Sequence, residues 1–238
     1  MYKNRFFSVS VLFLLATVMF SSCADCIEGN GHMSTRTARF TEITAVNLAL
    51  SADVKLVSDS TGTVRIEGES NLIDKILLEQ RGTKLKISAD PCFLTSKSIT
   101  IYIPVKTVSD LQISGSGSIY SERKLAATDL TLGVNGSGDI EIEVEAANIL
   151  SKINGSGDIN LKGTTQRHKI EINGSGDVKA AEFPTGNVSI TINGSGDCSV
   201  FATTALGIKI RGSGSVYYGG APDISTDIKG SGSIEKVK

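Results

Sequence analysis

The sequence predicts an all-β fold, a right-handed parallel β-helix (solenoid) with about 18–21 residues per coil. Three observations carry the prediction. First, Gly-Ser-Gly recurs seven times, starting at Gly115, Gly136, Gly155, Gly174, Gly194, Gly212 and Gly230, at steps of 21, 19, 19, 20, 18 and 18 residues. Second, apolar columns appear when the seven segments are aligned on that glycine. Two residues before it stand Ile113, Val134, Ile153, Ile172, Ile192, Ile210 and Ile228, and four after it stand Ile119, Ile140, Ile159, Val178, Cys198, Val216 and Ile234. With the columns at −6, −4 and +6, 29 of 35 positions are apolar, against 3 of 21 in the intervening columns at −5, −3 and +5. Such period-two alternation describes strands with one buried face. Third, a unit this short cannot bury its own apolar face, so successive units must stack. A left-handed hexapeptide solenoid would need a six-residue period, which the chain lacks; an antiparallel meander is the alternative architecture.

The elements follow in order. Residues 1–22 read as a lipoprotein signal peptide: Lys3 and Arg5 form a basic start, and residues 6–20 are apolar except for Ser8, Ser10 and Thr17. That run suits a signal peptide and is short for a membrane span. Phe20-Ser21-Ser22-Cys23 then resembles a bacterial lipobox, with Cys23 the residue to be lipidated and Phe20 a departure from the usual leucine. An ordinary secretory signal is the alternative. Residues 23–36 read as a flexible tether and 37–238 as a single β-helix domain, with irregular N-terminal coils over 37–110 and Gly-Ser-Gly coils over 111–238. The irregular part still alternates, as in Val46, Leu48 and Leu50, and Ile99, Ile101 and Ile103. Residues 71–80 have room for a short helical turn. Lys236, in an inward column, would blunt the last edge against further stacking.

Several of these segments also resemble a known family. Ile101-Tyr102-Ile103-Pro104, Leu111-Gln112-Ile113-Ser114-Gly115-Ser116-Gly117, the four Asn-Gly-Ser-Gly-Asp corners and Tyr217-Tyr218-Gly219-Gly220-Ala221-Pro222 are similar to the head GIN domain of autotransporter adhesins. The resemblance implies a right-handed β-helix on secreted or lipid-anchored proteins of Gram-negative bacteria. It supplies no catalytic residue.

Composition and motifs bound the chemistry. The net charge of −1, with scattered Lys and Arg, excludes a nucleic-acid partner. The outward −3 column (Gln112, Gly133, Lys152, Glu171, Thr191, Lys209, Asp227) mixes signs, so that Lys152 can pair with Glu171 and Lys209 with Asp227. That describes a solvated surface better than the converging carboxylates of a polysaccharide-active enzyme. His168 lies in the −6 column and reads as a partly buried strand end, and His32 lies in the tether. Tyr120 and Tyr217 share an outward column but lie five coils apart, about 24 Å, too far to grip one sugar. Cys198 reads as a reduced core residue, while Cys26 and Cys92 could pair if Cys26 reaches.

Catalytic, cofactor and metal residues are therefore expected to be none. One column stands out just after the corner, where Asp139, Asp158, Asp177 and Asp197 would stack about 4.8 Å apart. Either each caps the N–H groups of its own turn, as in an Asx turn, beside a ladder of Asn135, Asn154, Asn173 and Asn193, or the column binds a cation such as Ca²⁺. The expected function is a non-enzymatic, lipid-anchored envelope or surface protein. It would be an adhesin-like or structural head, held to the outer membrane through its lipid, with a glycan or protein ligand. The alternative is a glycan-active β-helix enzyme of the pectinase type.

Overall fold

The computed structural model describes residues 26–58, 61–90 and 92–237. The N-terminal part comprises β1 (Ile27–Glu28), β2 (Met33–Arg39), β3 (Ala45–Ala49), β4 (Asp53–Val57), β5 (Thr63–Glu69), the one-turn helix α1 (Ser70–Ile73), β6 (Ile76–Arg81), β7 (Lys84–Ala89), β8 (Phe93–Leu94) and β9 (Thr100–Pro104). The regular part comprises β10 (Asp110–Gly115), β11 (Ser118–Ser121), β12 (Leu125–Gly136), β13 (Asp139–Gly155), β14 (Ile159–Gly174), β15 (Val178–Gly194), β16 (Cys198–Gly212), β17 (Ser215–Gly220), β18 (Asp223–Gly230) and β19 (Ser233–Lys236). From β10 onward every strand pairs in parallel with its equivalent one coil away, the arrangement of a β-solenoid.

The register matches the sequence columns. Val134 opposes Ile153, Ile153 opposes Ile172, Ile172 opposes Ile192, and Ile192 opposes Ile210. All five are fully buried, as are Ile140, Ile159, Val178 and Cys198 in the second column. Identical apolar side chains stacked at the strand spacing fill a narrow core continuously, and each buried Ile or Val contributes about 1.5–3 kcal/mol. The steps differ between 18 and 21 residues because the connectors absorb the difference. Register shifts fall between Asn160 and Thr165 and between Ala180 and Asn187, while the segments leading into the corners stay aligned. The connectors themselves lie within the long strands β13 to β16, so most of each coil is in the ladder.

Each corner needs both its glycines. At Gly155 φ is +143°, which L side chains rarely adopt, and a Cβ there would stand 2.2 Å from the Gly136 carbonyl oxygen. A Cβ at Gly157 would stand 2.0 Å from the Gly138 carbonyl oxygen. The close approach has a purpose: Ser156 donates its backbone N–H to the Gly136 carbonyl at 2.9 Å, and Ser175, Ser195, Ser213 and Ser231 repeat the bond one coil further each time.

The N-terminal coils join the same sheet but not in chain order. β3 pairs in parallel with β7 on one side and β10 on the other, and β4 likewise lies between β9 and β11. The chain therefore runs from the edge strand β2 into an inner layer of β3 and β4, doubles back through β5, α1 and β6 to lay down the outer layer of β7 and β9, then crosses to β10. Antiparallel strands finish that end: β6 on β7, β5 on β9, and β2 on β5. Leu72 and Ile73 of α1 are buried against the core, which closes its N-terminal end. The predicted helical turn is α1, and β6 occupies most of the rest of 71–80.

The tether expected over residues 23–36 is corrected for its described part. β1 pairs with β8, β2 pairs along β5 from Met33↔Glu69 to Arg39↔Thr63, and Cys26 and Cys92 form a disulfide with their Cα atoms 4.6 Å apart. Backbone pairing at a sheet edge, not apolar alternation, holds this segment. The buried carboxylate of Glu69 adds to it, accepting the Gly31 N–H at 2.5 Å and the Thr95 hydroxyl. Those two donors, the Thr95 hydroxyl foremost, hold the Glu69 carboxyl below the usual carboxylate range. The signal peptide and Cys23 lie outside the described residues.

Candidate functional site

The corner column is a continuous polar ladder. Asp158 donates its backbone N–H to Oδ1 of Asp139 at 3.0 Å, Asp177 to Asp158 at 3.0 Å, Asp197 to Asp177 at 2.8 Å and Ser215 to Asp197 at 2.7 Å. Each carboxylate thus accepts from the next coil, whereas the Asx-turn account expected bonds within its own turn. The Asp158 carbonyl accepts from Ile140, while the Asp158 N–H, whose counterpart on Asp139 bonds the Gly117 carbonyl, takes the Asp139 side chain as its acceptor. Beside it Asn154 bonds Asn135, Asn173 bonds Asn154 and Asn193 bonds Asn173, each amide donating to the carbonyl below at 2.9 Å. The Lys179 ammonium reaches Asp158 Oδ2 at 2.6 Å, and its pKa is raised by that bond and by the charges of Asp177 and Asp139. A lysine amid the column offsets the repulsion between stacked carboxylates. Among the described residues no group of three or more His, Cys, Asp or Glu side chains is arranged to hold a metal.

His168 and Cys198 are core residues. His168 is 1% exposed, its Nε2 is 2.8 Å from the Ser151 hydroxyl, and its ring packs edge-on against Phe183 at 6.0 Å. Burial lowers its pKa to about 3, so the ring is neutral. The expected half-exposed strand end is therefore a sealed one, since Phe183 of the neighbouring coil covers it. Cys198 is a buried free thiol whose pKa burial raises, with Asp177 and Asp197 adding to the rise. Neither group reaches solvent, so neither is placed to act on a substrate.

The outward faces carry the accessible chemistry. Glu171 pairs with Lys169 at 2.6 Å and with Lys152 at 3.2 Å, which hold its carboxyl low. The out-of-order stacking creates one group that chain order hides. In the outward column that holds Tyr120, Tyr102 opposes Lys55 and Lys55 opposes Tyr120, so two tyrosines lie two rungs apart, about 10 Å, with a lysine between them. Arg65 stacks on the Tyr102 ring at 3.7 Å, and the Tyr102 hydroxyl donates to Glu67 at 3.2 Å. In chain order the next tyrosine in the Tyr120 column is Tyr217, whereas the stacking of β4 between β9 and β11 brings Tyr102 nearer. Elsewhere on the surface, open clefts are lined by single carboxylates, Glu42, Glu145, Asp129 and Glu79, and those that hold Glu145 and Asp129 adjoin at Ala126 and Ala127.

Comparison with known proteins places this solenoid. Residues 39–222 match the family described as "Putative auto-transporter adhesin, head GIN domain". This chain belongs to the head GIN domain family. Three solved structures share the fold across nearly the whole GIN body. A "putative adhesin" from Bacteroides fragilis NCTC 9343 is 24% identical with a TM-score of 0.81, covering 89% of this chain and 100% of its own. A "Putative lipid binding protein" from Parabacteroides distasonis ATCC 8503 is 28% identical with a TM-score of 0.73, covering 89% and 99%. A "putative adhesin" from Parabacteroides merdae ATCC 43184 is 20% identical with a TM-score of 0.70, covering 90% and 100%. No curated relative matches the chain. The GIN family is named for adhesins, and that name suggests a cell-surface or envelope protein.

Proposed function

We propose that this GIN-domain chain is a non-enzymatic, lipid-anchored head on the bacterial cell envelope, attached to the outer membrane through Cys23. One observation carries the reading: the disulfide from Cys26 to Cys92 fixes residue 26 to the N-terminal coils. Only Ala24 and Asp25 separate it from the lipobox cysteine. An acyl group on Cys23 then holds the N-terminal end of the solenoid at the bilayer and points the C-terminal coils away from it. The body offers long outward faces of mixed charge and the Tyr102–Lys55–Tyr120 row, a surface suited to contacting a glycan or protein. The lipid-binding name of one structural neighbour also fits a body held at a bilayer.

The test is metabolic labelling with a fatty acid, combined with protease shaving of intact cells. Wild-type protein takes up label, Cys23→Ala does not, and shaving removes the body if it faces outward. Equal labelling of the two proteins defeats the anchor. Hydrolysis or lyase activity on envelope polysaccharides, lost in variants of a cleft carboxylate, defeats the non-enzymatic reading.

A further inference from the structure

The two ends of the solenoid are finished differently. The N-terminal end is closed by antiparallel strands and α1, whereas at the other end β18 has no described strand beyond it. All eight residues of β18 are exposed. Ile224 is 44% and Ile228 41% exposed, although they stand in the columns whose members one coil earlier, Leu206 and Ile210, are 1% and 0% exposed. An uncovered core end with free backbone donors and acceptors is a template for pairing with another strand.

We propose that this edge pairs with the β18 edge of a second copy, antiparallel and about a two-fold axis through Thr226. The sequence of β18 is self-complementary in that register. Residues whose numbers sum to 452 face each other, so Ile224 meets Ile228 of the other copy, Thr226 meets Thr226, Ser225 meets Asp227, and Asp223 meets Lys229. Directly opposed residues share a face, so the isoleucines on the core side cover one another and the opposite charges meet on the solvent side. By symmetry both the isoleucine pair and the charge pair occur twice. The pairing is isologous and closes at two copies. A head-to-tail stack lacks this match, because α1 covers the core at the N-terminal end. The two solenoids run in opposite directions, with the two Cys26 ends far apart. Resting on the anchored-head reading, such a pair bridges two facing membrane surfaces instead of lying within one.

Cysteine cross-linking of the full chain purified in mild detergent tests the pairing. In the two-fold register opposed Cβ atoms at position 226 lie about 5 Å apart. Thr226→Cys should cross-link to itself with a short bismaleimide and give a dimer, while Gln166→Cys, exposed in mid-stack, should not. Asp223→Lys should weaken the dimer about tenfold, because two opposite-charge pairs become like-charge pairs. Adding Lys229→Asp to that variant should restore the dimer. Circular dichroism of each variant confirms the fold. Absence of the Thr226→Cys dimer, equal cross-linking at Gln166→Cys, or a ladder of higher oligomers overturns the proposal. Fatty-acid labelling reads the anchor separately, so failure of pairing and failure of anchoring are distinguished.

Discussion

The backbone N–H of Asp177 points at Oδ1 of Asp158, 3.0 Å away on the preceding coil, and the same bond recurs from Asp158 to Asp139 and from Asp197 to Asp177. The carboxylate column is therefore an extension of the β-ladder through side chains, at the place where the corner leaves a peptide N–H without a carbonyl. The ends of the column show what happens without it. Above Ser118, the Asp139 N–H turns to the Gly117 carbonyl at 3.2 Å, and Ser233 bonds the Ser215 hydroxyl, not a backbone group.

Asp158→Asn should accordingly be mild, since its amide oxygen can still accept from Asp177. Asp158→Ala should cost about 1–3 kcal/mol, the penalty for an N–H left without an acceptor. Asp158→Ser should resemble Ala, because serine in this column does not accept from the backbone N–H of the next coil. Urea melts of the three variants check the order. A serine variant as stable as wild type would restore the local Asx-turn account.

The glycines of one corner should prove intolerant for two separable reasons. Gly155→Ala combines a positive φ with a contact of 2.2 Å to the Gly136 carbonyl, and Gly157→Ala meets the Gly138 carbonyl at 2.0 Å. Backbone must move in either case, at a cost of about 2–4 kcal/mol. Ser156→Ala, between them and exposed, should change stability by less than about 0.5 kcal/mol. Thermal melts compare them directly.

Much of the regular stack was legible because one physical rule governs it. Ile153, Ile172 and Ile192 recur at the coil length, each flanked by polar neighbours, and a strand buried on one face has no other pattern. The N-terminal third obeys rules that periodicity cannot express. Met33–Arg39 holds its place through backbone pairing along β5 and shows almost no apolar alternation. Tyr102 stands beside Lys55 because β9 stacks on β4, a choice made by distant contacts. Glu69 is likewise buried by the segment it captures, and nothing adjacent in sequence announces that. In the Asp column the residue type was informative, but the direction of its hydrogen bonds depended on which N–H groups of the next coil lack a backbone acceptor.

Reduction of Cys26–Cys92 should loosen the N-terminal coils. The bond closes a loop with a sequence separation of 66. Chain-entropy reasoning gives up to about 4 kcal/mol for a loop of that size. Cys26→Ser should lower the melting temperature and increase amide exchange in β1 and β2, while exchange in β13 to β15 stays slow. Uniform loosening of the whole stack would mean that the two ends unfold as one unit.

The last expectation concerns His168 and acid. Its folded pKa is lowered from the ordinary 6.5 to about 3 because burial opposes the charged ring. In the unfolded chain the ring takes up a proton near 6.5, so between about pH 6.5 and pH 3 the unfolded state binds more protons than the folded one. Stability contributed by the neutral buried ring is then complete above pH 6.5 and falls with pH below it, by at most about 1.4 kcal/mol per unit. Glu69, Glu145 and Glu171 have lowered pKa values and begin to add their own losses as pH falls within about a unit of the ordinary carboxylate value of 4.5. The interval from about pH 6.5 to 5.5 therefore isolates the histidine. Chemical melts of wild type across that interval should show a falling midpoint. His168→Gln, which can still bond the Ser151 hydroxyl but takes up no proton, should hold its midpoint constant there. Parallel slopes for the two proteins would mean that His168 admits its proton without unfolding, contrary to a ring sealed between Ser151 and Phe183.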